Sequence, residues 1–238
     1  MIDIKTLILV AHPELASSQT QQFLKASAAG LPDVTWHHLD AITTPDVAAE
    51  RELLVEADRI IFQFPLYWYN VPASLNAWMA AVLTSPFIAG AGQSEQPLAG
   101  KTVGVVVNTG MPAKAFQAGG EVGFTLDALL TPLRALAQMA GMKWQPIFAI
   151  NQFANFRDAE QQKLLVAYQR YLTQPTPDTL SSRLAWFEQR LQALVAKLPA
   201  NQQQQGQLIL STLQQDQADY ADLKATVAML KEGSDDLG

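Results

Sequence analysis

Apolar and polar positions fall into regular blocks along the 238-residue chain. Five short runs have the look of strands: TLILVA (6–11), VTWHHL (34–39), RIIFQF (59–64), TVGVVVN (102–108) and KWQPIFAI (143–150). The first, third and fourth are almost wholly apolar, as in strands covered on both faces. Between the runs, apolar residues recur at helical spacing. DVAAERELLVEA opens on Asp46, PASLNAWMAAVL opens on Pro72, and TLDALLTPLRALAQMAG carries leucines at 126, 129, 130, 133 and 136. Proline in a first turn and glycine (here Gly141) after a last turn are ordinary helix boundaries. Such alternation of strand and helix builds a parallel sheet through right-handed crossovers.

Five strands with a short first unit fit an α/β fold of the flavodoxin-like kind, a three-layer sandwich around a five-stranded parallel sheet of order 2-1-3-4-5. After Asn151 the pattern changes to amphipathic helices, DAEQQKLLVAYQRYL and RLAWFEQRLQALVAKL, separated by PTPD at 175–178. ANQQQQGQ (200–207) reads as a low-complexity linker. Beyond it Leu213, Tyr220, Leu223, Val227 and Leu230 keep a helical period in an increasingly acidic tail. The expected organisation is a sheet domain over residues 1–199 and an accessory helical or partly disordered extension over 200–238.

Composition narrows the function. Mean hydropathy is +0.04, and no apolar stretch approaches the roughly eighteen residues of a membrane helix, so membrane insertion is not expected. The first residues read as a strand and lack the basic region and cleavage site of a secretory signal, so a cytoplasmic protein is expected. There are no cysteines, so disulfides, thiolate metal sites and cysteine nucleophiles are excluded. A net charge of −6 with 16 Lys and Arg argues against nucleic acid or an anionic membrane as a partner.

In an open sheet of this order, ligands bind beyond the carboxyl ends of the strands where the order reverses, beside strands 1 and 3. Three loops reach that place. The first, AHPELASSQTQQFL, offers His12 and the hydroxyls of Ser17, Ser18 and Thr20, with a helix beginning near Gln19. Hydroxyls and free N–H groups at a helix start suit a phosphate, and also suit simple capping. The second, FPLYWYNVP, places Tyr67, Trp68 and Tyr69 in consecutive positions between Pro65 and Pro72, so they cannot all face one interior. A flat heteroaromatic ring or a subunit contact would each account for them. The third, NTGMPAKAF (108–116), is small at Thr109 and Gly110, which lets backbone N–H groups approach a ligand or simply turns the chain. Other motifs fail. GKT (100–102) resembles the end of a phosphate loop, but Glu95 stands where its first glycine belongs and a strand follows. No dinucleotide glycine fingerprint follows a strand, His37 and His38 lie on opposite faces of one strand and make poor metal ligands, and the acidic helix 46–58 reads as a solvated face. No metal site is expected.

Taken together, ILVAHP with Ser18, FQFPLYWYNVPASLNAW, and TG followed by GGEVGFTLDALLTPLRALAQMAGMKW resemble the flavodoxin-like NAD(P)H:quinone oxidoreductases. That family includes DT-diaphorase and the ancillary oxidoreductase of glutathione-gated potassium efflux systems. The similarity spans about residues 4 to 195. It implies a homodimeric enzyme with FMN, or FAD as the alternative, that takes hydride from NAD(P)H and passes two electrons to a quinone-like acceptor by a ping-pong mechanism. The resemblance assigns His12, Ser17 or Ser18, Gln19 and Thr20 to the flavin phosphate and ribityl chain. Pro65, Leu66, Tyr67, Trp68, Tyr69 and Asn70 fall to the ring, and Asn108, Thr109, Gly110 and Met111 to its pyrimidine edge. Tyr67, Trp68 and Gly110 are expected nearest the ring, and no residue is assigned a catalytic role, because the flavin N5 carries the hydride. Two departures stand out: Phe116 replaces a tyrosine of animal members, and no histidine follows His38. The resemblance also keeps open a regulatory role docked on a membrane potassium transporter, and a flavodoxin-type electron carrier.

Overall fold

The computed structural model describes residues 4–90 and 96–235, with side chains to residue 230. The chain divides into two compact units, Met1–Thr173 and Gln174–Gly238. In the first, strands and helices alternate: β1 (Thr6–Val10), α1 (Gln19–Ala28), β2 (Val34–His38), α2 (Val47–Glu56), β3 (Arg59–Pro65), α3 (Ala73–Val82), a short α4 (Ser85–Ile88) and β4 (Thr102–Thr109). They continue with α5 (Leu126–Leu129), α6 (Thr131–Met139), β5 (Lys143–Trp144), β6 (Phe148–Asn151) and α7 (Asp158–Thr173). All strands pair in parallel, in the order β2-β1-β3-β4 and then β5 and β6, both of which pair with β4. The expected order 2-1-3-4-5 is therefore present, with its fifth position in two pieces.

Pro146 explains the break. It lacks an N–H, so the ladder with β4 stops after Gln145, whose N–H still reaches the Val103 carbonyl at 2.8 Å, and resumes at Phe148 opposite Val106. The Tyr171 hydroxyl of α7 fills the gap. It accepts from the Val105 N–H at 3.0 Å and donates to the Pro146 carbonyl at 2.9 Å. Gly104 makes room for it, since a Cβ there would collide with that hydroxyl and meet Gln145 Oε1 and Ile61 Cδ1 at 2.9 Å.

Alternation along the buried strands sorts the core into two layers. Leu7, Leu9, Ile60, Phe62, Phe64, Val103, Val105 and Val107 pack with Leu54, Leu75, Trp78, Val82 and Leu133, from the helices on one side. Ile8, Val10, Ile61, Val106 and Ile150 pack with Leu24, Leu164, Tyr168 and Leu172 of α1 and α7 on the other. Arg59 also faces α7. Its guanidinium donates to the carbonyls of Tyr171 and Leu172 at 3.0 and 2.5 Å, and Thr6 Oγ1 donates to Leu172 O at 2.7 Å. These are last-turn carbonyls, where the helix dipole favours a cation. Burial lowers the Arg59 pKa to about 10.

The second unit contains α8 (Leu180–Val195) and α9 (Ala200–Asp235). Thr179 and Ser182 form a reciprocal capping box at the start of α8. The segment 200–207, expected as a linker, is the beginning of α9. Glutamine is a good helix former, and the one poor residue is there for packing: a Cβ on Gly206 would meet Val195 Cγ2 at 2.8 Å and Leu198 Cδ1 at 2.9 Å. The expected boundary at 199/200 thus falls between the two helices of this unit. Among the described residues, no helix is long and apolar enough to cross a membrane.

Tyr171→Phe removes the partner of a buried N–H and should lower unfolding free energy by about 1–3 kcal/mol. Gly104→Ala should cost a similar amount by overpacking. Because the phenol oxygen is what the new methyl meets, the double substitution should cost less than the sum, as read from urea unfolding of all four proteins.

Candidate functional site

The carboxyl ends of β1, β3 and β4 lie side by side, which brings the three expected loops together. Val10 pairs with Gln63, and Pro65 with Asn108. The ladder extends one step into the loops, from Ala11 N–H to Gln63 O and from Leu66 N–H to Asn108 O, both at 2.9 Å.

In the first loop His12 is buried. Its N–H donates to Asp40 Oδ2 at 2.7 Å, and its Nδ1 accepts from the Glu14 N–H at 3.2 Å. An accepting Nδ1 leaves the ring proton on Nε2, an open donor among the described residues. Burial lowers the His12 pKa, with Asp40 opposing and His38 assisting, so the ring is neutral. His38 Nε2 meets the His12 carbonyl at 3.0 Å. Ser18 caps α1, accepting from the Gln21 N–H at 3.3 Å, whereas the Ser17 hydroxyl turns back to the Glu14 carbonyl at 3.0 Å. Gln19 and Thr20 follow in the first turn, where N–H groups have no intrahelical acceptor.

The second loop is a hairpin tip. Tyr67 and Asn70 exchange backbone hydrogen bonds of 3.0 and 2.9 Å. Trp68 and Tyr69 between them are both left-handed, with φ of 50° and 62°. Turns of this kind favour Asn and Gly; bulky residues there are strained by about 1 kcal/mol each. Among the described residues nothing covers Trp68, which is 94% exposed, and Tyr67 and Tyr69 are exposed as well. The Asn70 side chain accepts from the Val71 N–H at 2.8 Å and closes the turn, while Pro65 is buried at the strand end. Tyr67 stands edge-on to His12, with ring centroids 6.4 Å apart. Its pKa is raised by desolvation and then by the carboxylates of Glu14 and Asp40, so its hydroxyl keeps its proton.

At the end of β4 the buried Thr109 hydroxyl bonds both the N–H and the carbonyl of Met111, at 3.2 and 2.9 Å. Gly110 is exposed, and a Cβ there would meet nothing within 4 Å. Asn151 braces this turn, donating to Thr109 Oγ1 at 3.1 Å and to Met111 O at 3.2 Å. Sequence reading missed Asn151, although it directly follows the fifth run, at the end of β6.

It also missed Gln21, Gln63 and Tyr168, which are wholly buried and linked to the carboxyl end of β4. Tyr168 O–H donates to Gln63 Oε1 at 2.6 Å, Gln63 Nε2 to Gln21 Oε1 at 2.7 Å, and Gln21 Nε2 to Asn108 Oδ1 at 3.0 Å. The available signal was two glutamines standing at strand and helix positions otherwise reserved for apolar residues. Elsewhere, the acidic helix is not wholly a solvated face. Glu50 is buried, held by His37 Nε2 at 2.9 Å and the Trp78 indole N–H at 3.0 Å. Phe116 is buried, and Glu95 lies outside the described residues.

A family model described as Flavodoxin-like fold, Flavodoxin_2, matches residues 4–174. All of the second unit but its first residue, Gln174, lies beyond that span. A glutathione-regulated potassium-efflux system ancillary protein, KefG from Cronobacter sakazakii, is 36% identical over 174 residues, 72% of this chain and 94% of that protein. A solved NADPH-quinone reductase from P. pentosaceus is 46% identical, with a TM-score of 0.68 over 71% of this chain and 98% of that one. A general stress protein 14 from Treponema denticola, solved in complex with FMN, is 30% identical, with a TM-score of 0.62 over 71% and 95%.

The double substitution Trp68→Asn/Tyr69→Gly should raise unfolding free energy by about 1–2 kcal/mol, because it relieves two left-handed residues and forfeits little packing. Thermal unfolding measures it. A histidine whose folded pKa is lowered stabilises the fold above its unfolded pKa, near 6.5, and loses that contribution as pH falls through the folded value. Stability should therefore decline as pH falls below 6.5 more steeply in the wild type than in His12→Gln.

Proposed function

The chain belongs to the Flavodoxin_2 family of flavodoxin-like folds, and on that premise we propose that it is an FMN-dependent NAD(P)H:quinone oxidoreductase. One observation carries the reading: three loops from adjacent strands converge, and one holds a strained aromatic turn that stays exposed among the described residues. Strain of this kind belongs to sites where a ligand makes use of it. The NADPH-quinone reductase and the FMN-bound relative support the same reading from outside the chain.

The residues present fit a flavin. His12 Nε2–H, the first-turn N–H groups at Gln19 and Thr20, the Tyr67 hydroxyl and the Asn108 amide all offer protons, as an oxygen-rich ligand with a phosphate requires. The Tyr67–Tyr69 tip supplies flat apolar surface for a ring system. Bound there, the flavin supplies the two-electron chemistry between a nicotinamide and a quinone. The protein's part is to bind and orient. His12 is kept neutral, so it donates without adding a cation, and Thr109 with Asn151 holds the turn at Gly110. With Phe116 in place of a hydroxylated residue, the Gly110 N–H and Asn108 are the local means of balancing negative charge on the ring. One exposed cleft serves both donor and acceptor in turn, which gives ping-pong kinetics.

A second reading follows from the similarity to KefG: docking on a membrane potassium-efflux system, with the enzyme activity subordinate to regulation. Co-purification with such a transporter, lost on truncation at Pro199, supports it.

The test is the visible spectrum of the purified protein before and after anaerobic NADH or NADPH. A flavin band that bleaches is the expected result, and the faster donor gives the nucleotide preference. A band that persists favours an electron carrier or the regulatory role, and absence of flavin after reconstitution with FMN overturns the reading. In Trp68→Asn/Tyr69→Gly, FMN should bind about tenfold or more weakly, since base-stacking aromatics of this kind contribute on the order of 1–3 kcal/mol.

A further inference from the structure

The buried chain Tyr168–Gln63–Gln21–Asn108 has a direction. Each amide has a donor end and an acceptor end, and each link uses one end of one residue and the opposite end of the next. The chain can therefore exist in two senses. In one, every amide donates toward Asn108 and the Asn108 carbonyl oxygen is occupied from below. In the other, every amide is reversed, and the Asn108 NH2 group is the occupied end.

Tyr168 selects between them. Its hydroxyl is wholly buried, and its one hydrogen-bond partner among the described residues is Gln63. Burial raises its pKa far above the usual phenol value, so the proton is always present. In the reversed sense Gln63 would donate to the phenol oxygen and leave that proton without an acceptor in a dry site, a state that folded proteins avoid. In the sense observed, all three links are satisfied. Asn108 then spends Oδ1 on Gln21 and keeps Nδ2 without a partner among the described residues, at the carboxyl end of β4 beside the strained tip.

We propose that Tyr168 is a positioning residue for the flavin: through Gln63 and Gln21 it fixes the Asn108 amide so that its NH2 group, and not its oxygen, is offered to the cleft. The chemistry recognised is an oxygen acceptor, a carbonyl or hydroxyl of the flavin. Tyr168 touches no ligand, and its effect passes wholly through Asn108. The inference rests on the flavin reading above.

A double-mutant cycle tests this with FMN as the probe, read by quenching of flavin fluorescence on the full-length apoprotein. Tyr168→Phe should weaken FMN binding about tenfold, the worth of one hydrogen bond to a well-placed acceptor. Asn108→Ala should weaken it by a similar factor, and the double variant no further than Asn108→Ala alone. Asn108→Asp, which offers only acceptors when ionised, should bind more weakly than Asn108→Ala. In the wild type, the Asn108 side-chain NH2 resonances should shift on adding FMN, a readout that needs no variant to fold. A Tyr168→Phe loss that persists in full in the Asn108→Ala background marks a merely structural role and overturns the inference. So do NH2 resonances that FMN leaves unmoved. Wild-type protein that binds no FMN overturns the flavin reading and this inference with it; wild-type binding with additive losses overturns the inference alone.

Discussion

Strand β3 is buried along its whole length, yet it sends two polar side chains, Arg59 and Gln63, onto the face that α7 covers. A buried polar group without a partner costs more than most contacts contribute. α7 therefore has to meet both at once: its last-turn carbonyls take the guanidinium, and its Tyr168 hydroxyl takes the amide. Two anchors four residues apart on a strand, met by two places on one helix, leave that helix a single position along the sheet. The same position puts the Tyr171 hydroxyl opposite Val105 and lets the edge of the sheet continue past Pro146.

The carboxyl ends of the three paired strands β1, β3 and β4 inherit their rigidity from this arrangement. One of those ends, Asn108, is tied through two glutamines to the helix behind the sheet. The loop above β3 is different. The Trp68–Tyr69 turn is strained and exposed, held by the Tyr67–Asn70 pair and by Asn70 itself. Stiff strand ends with a strained loop suit a ligand that is held at one edge and covered on a face. The neutral state of His12 follows from burial winning over the carboxylate at Asp40.

The fold was readable because its strands are nearly continuous apolar runs, a pattern that surface segments do not show. The three loops were readable because topology alone puts the carboxyl ends of β1, β3 and β4 together. What escaped was everything decided by a partner far away in sequence. Gln63 lies in an otherwise apolar run, and its partners are 42 residues back and 105 residues on. Glu50 reads as one more surface acid until His37 and Trp78 enclose it. Segment 200–207 looked like a linker because glutamine repeats are common in linkers. Only the tight approach of Val195 and Leu198 to Gly206 shows why a glycine interrupts a helix there. Trp68 and Tyr69 gave no local sign of left-handed backbone, since neither is a residue that adopts it readily.

The Tyr171 hydroxyl in the edge of the sheet also bears on how the domain is made. Strands β1 to β4 are complete by Thr109, but the layer that shields Ile8, Val10, Ile61 and Val106 includes Leu164, Tyr168 and Leu172. A chain emerging from the ribosome therefore leaves part of one apolar face of its sheet, and the side chains of Arg59 and Gln63, without their α7 partners until the last helix of the domain has cleared the exit tunnel. Closure is a late, long-range event, and native structure in this unit cannot outrun the synthesis of its final helix.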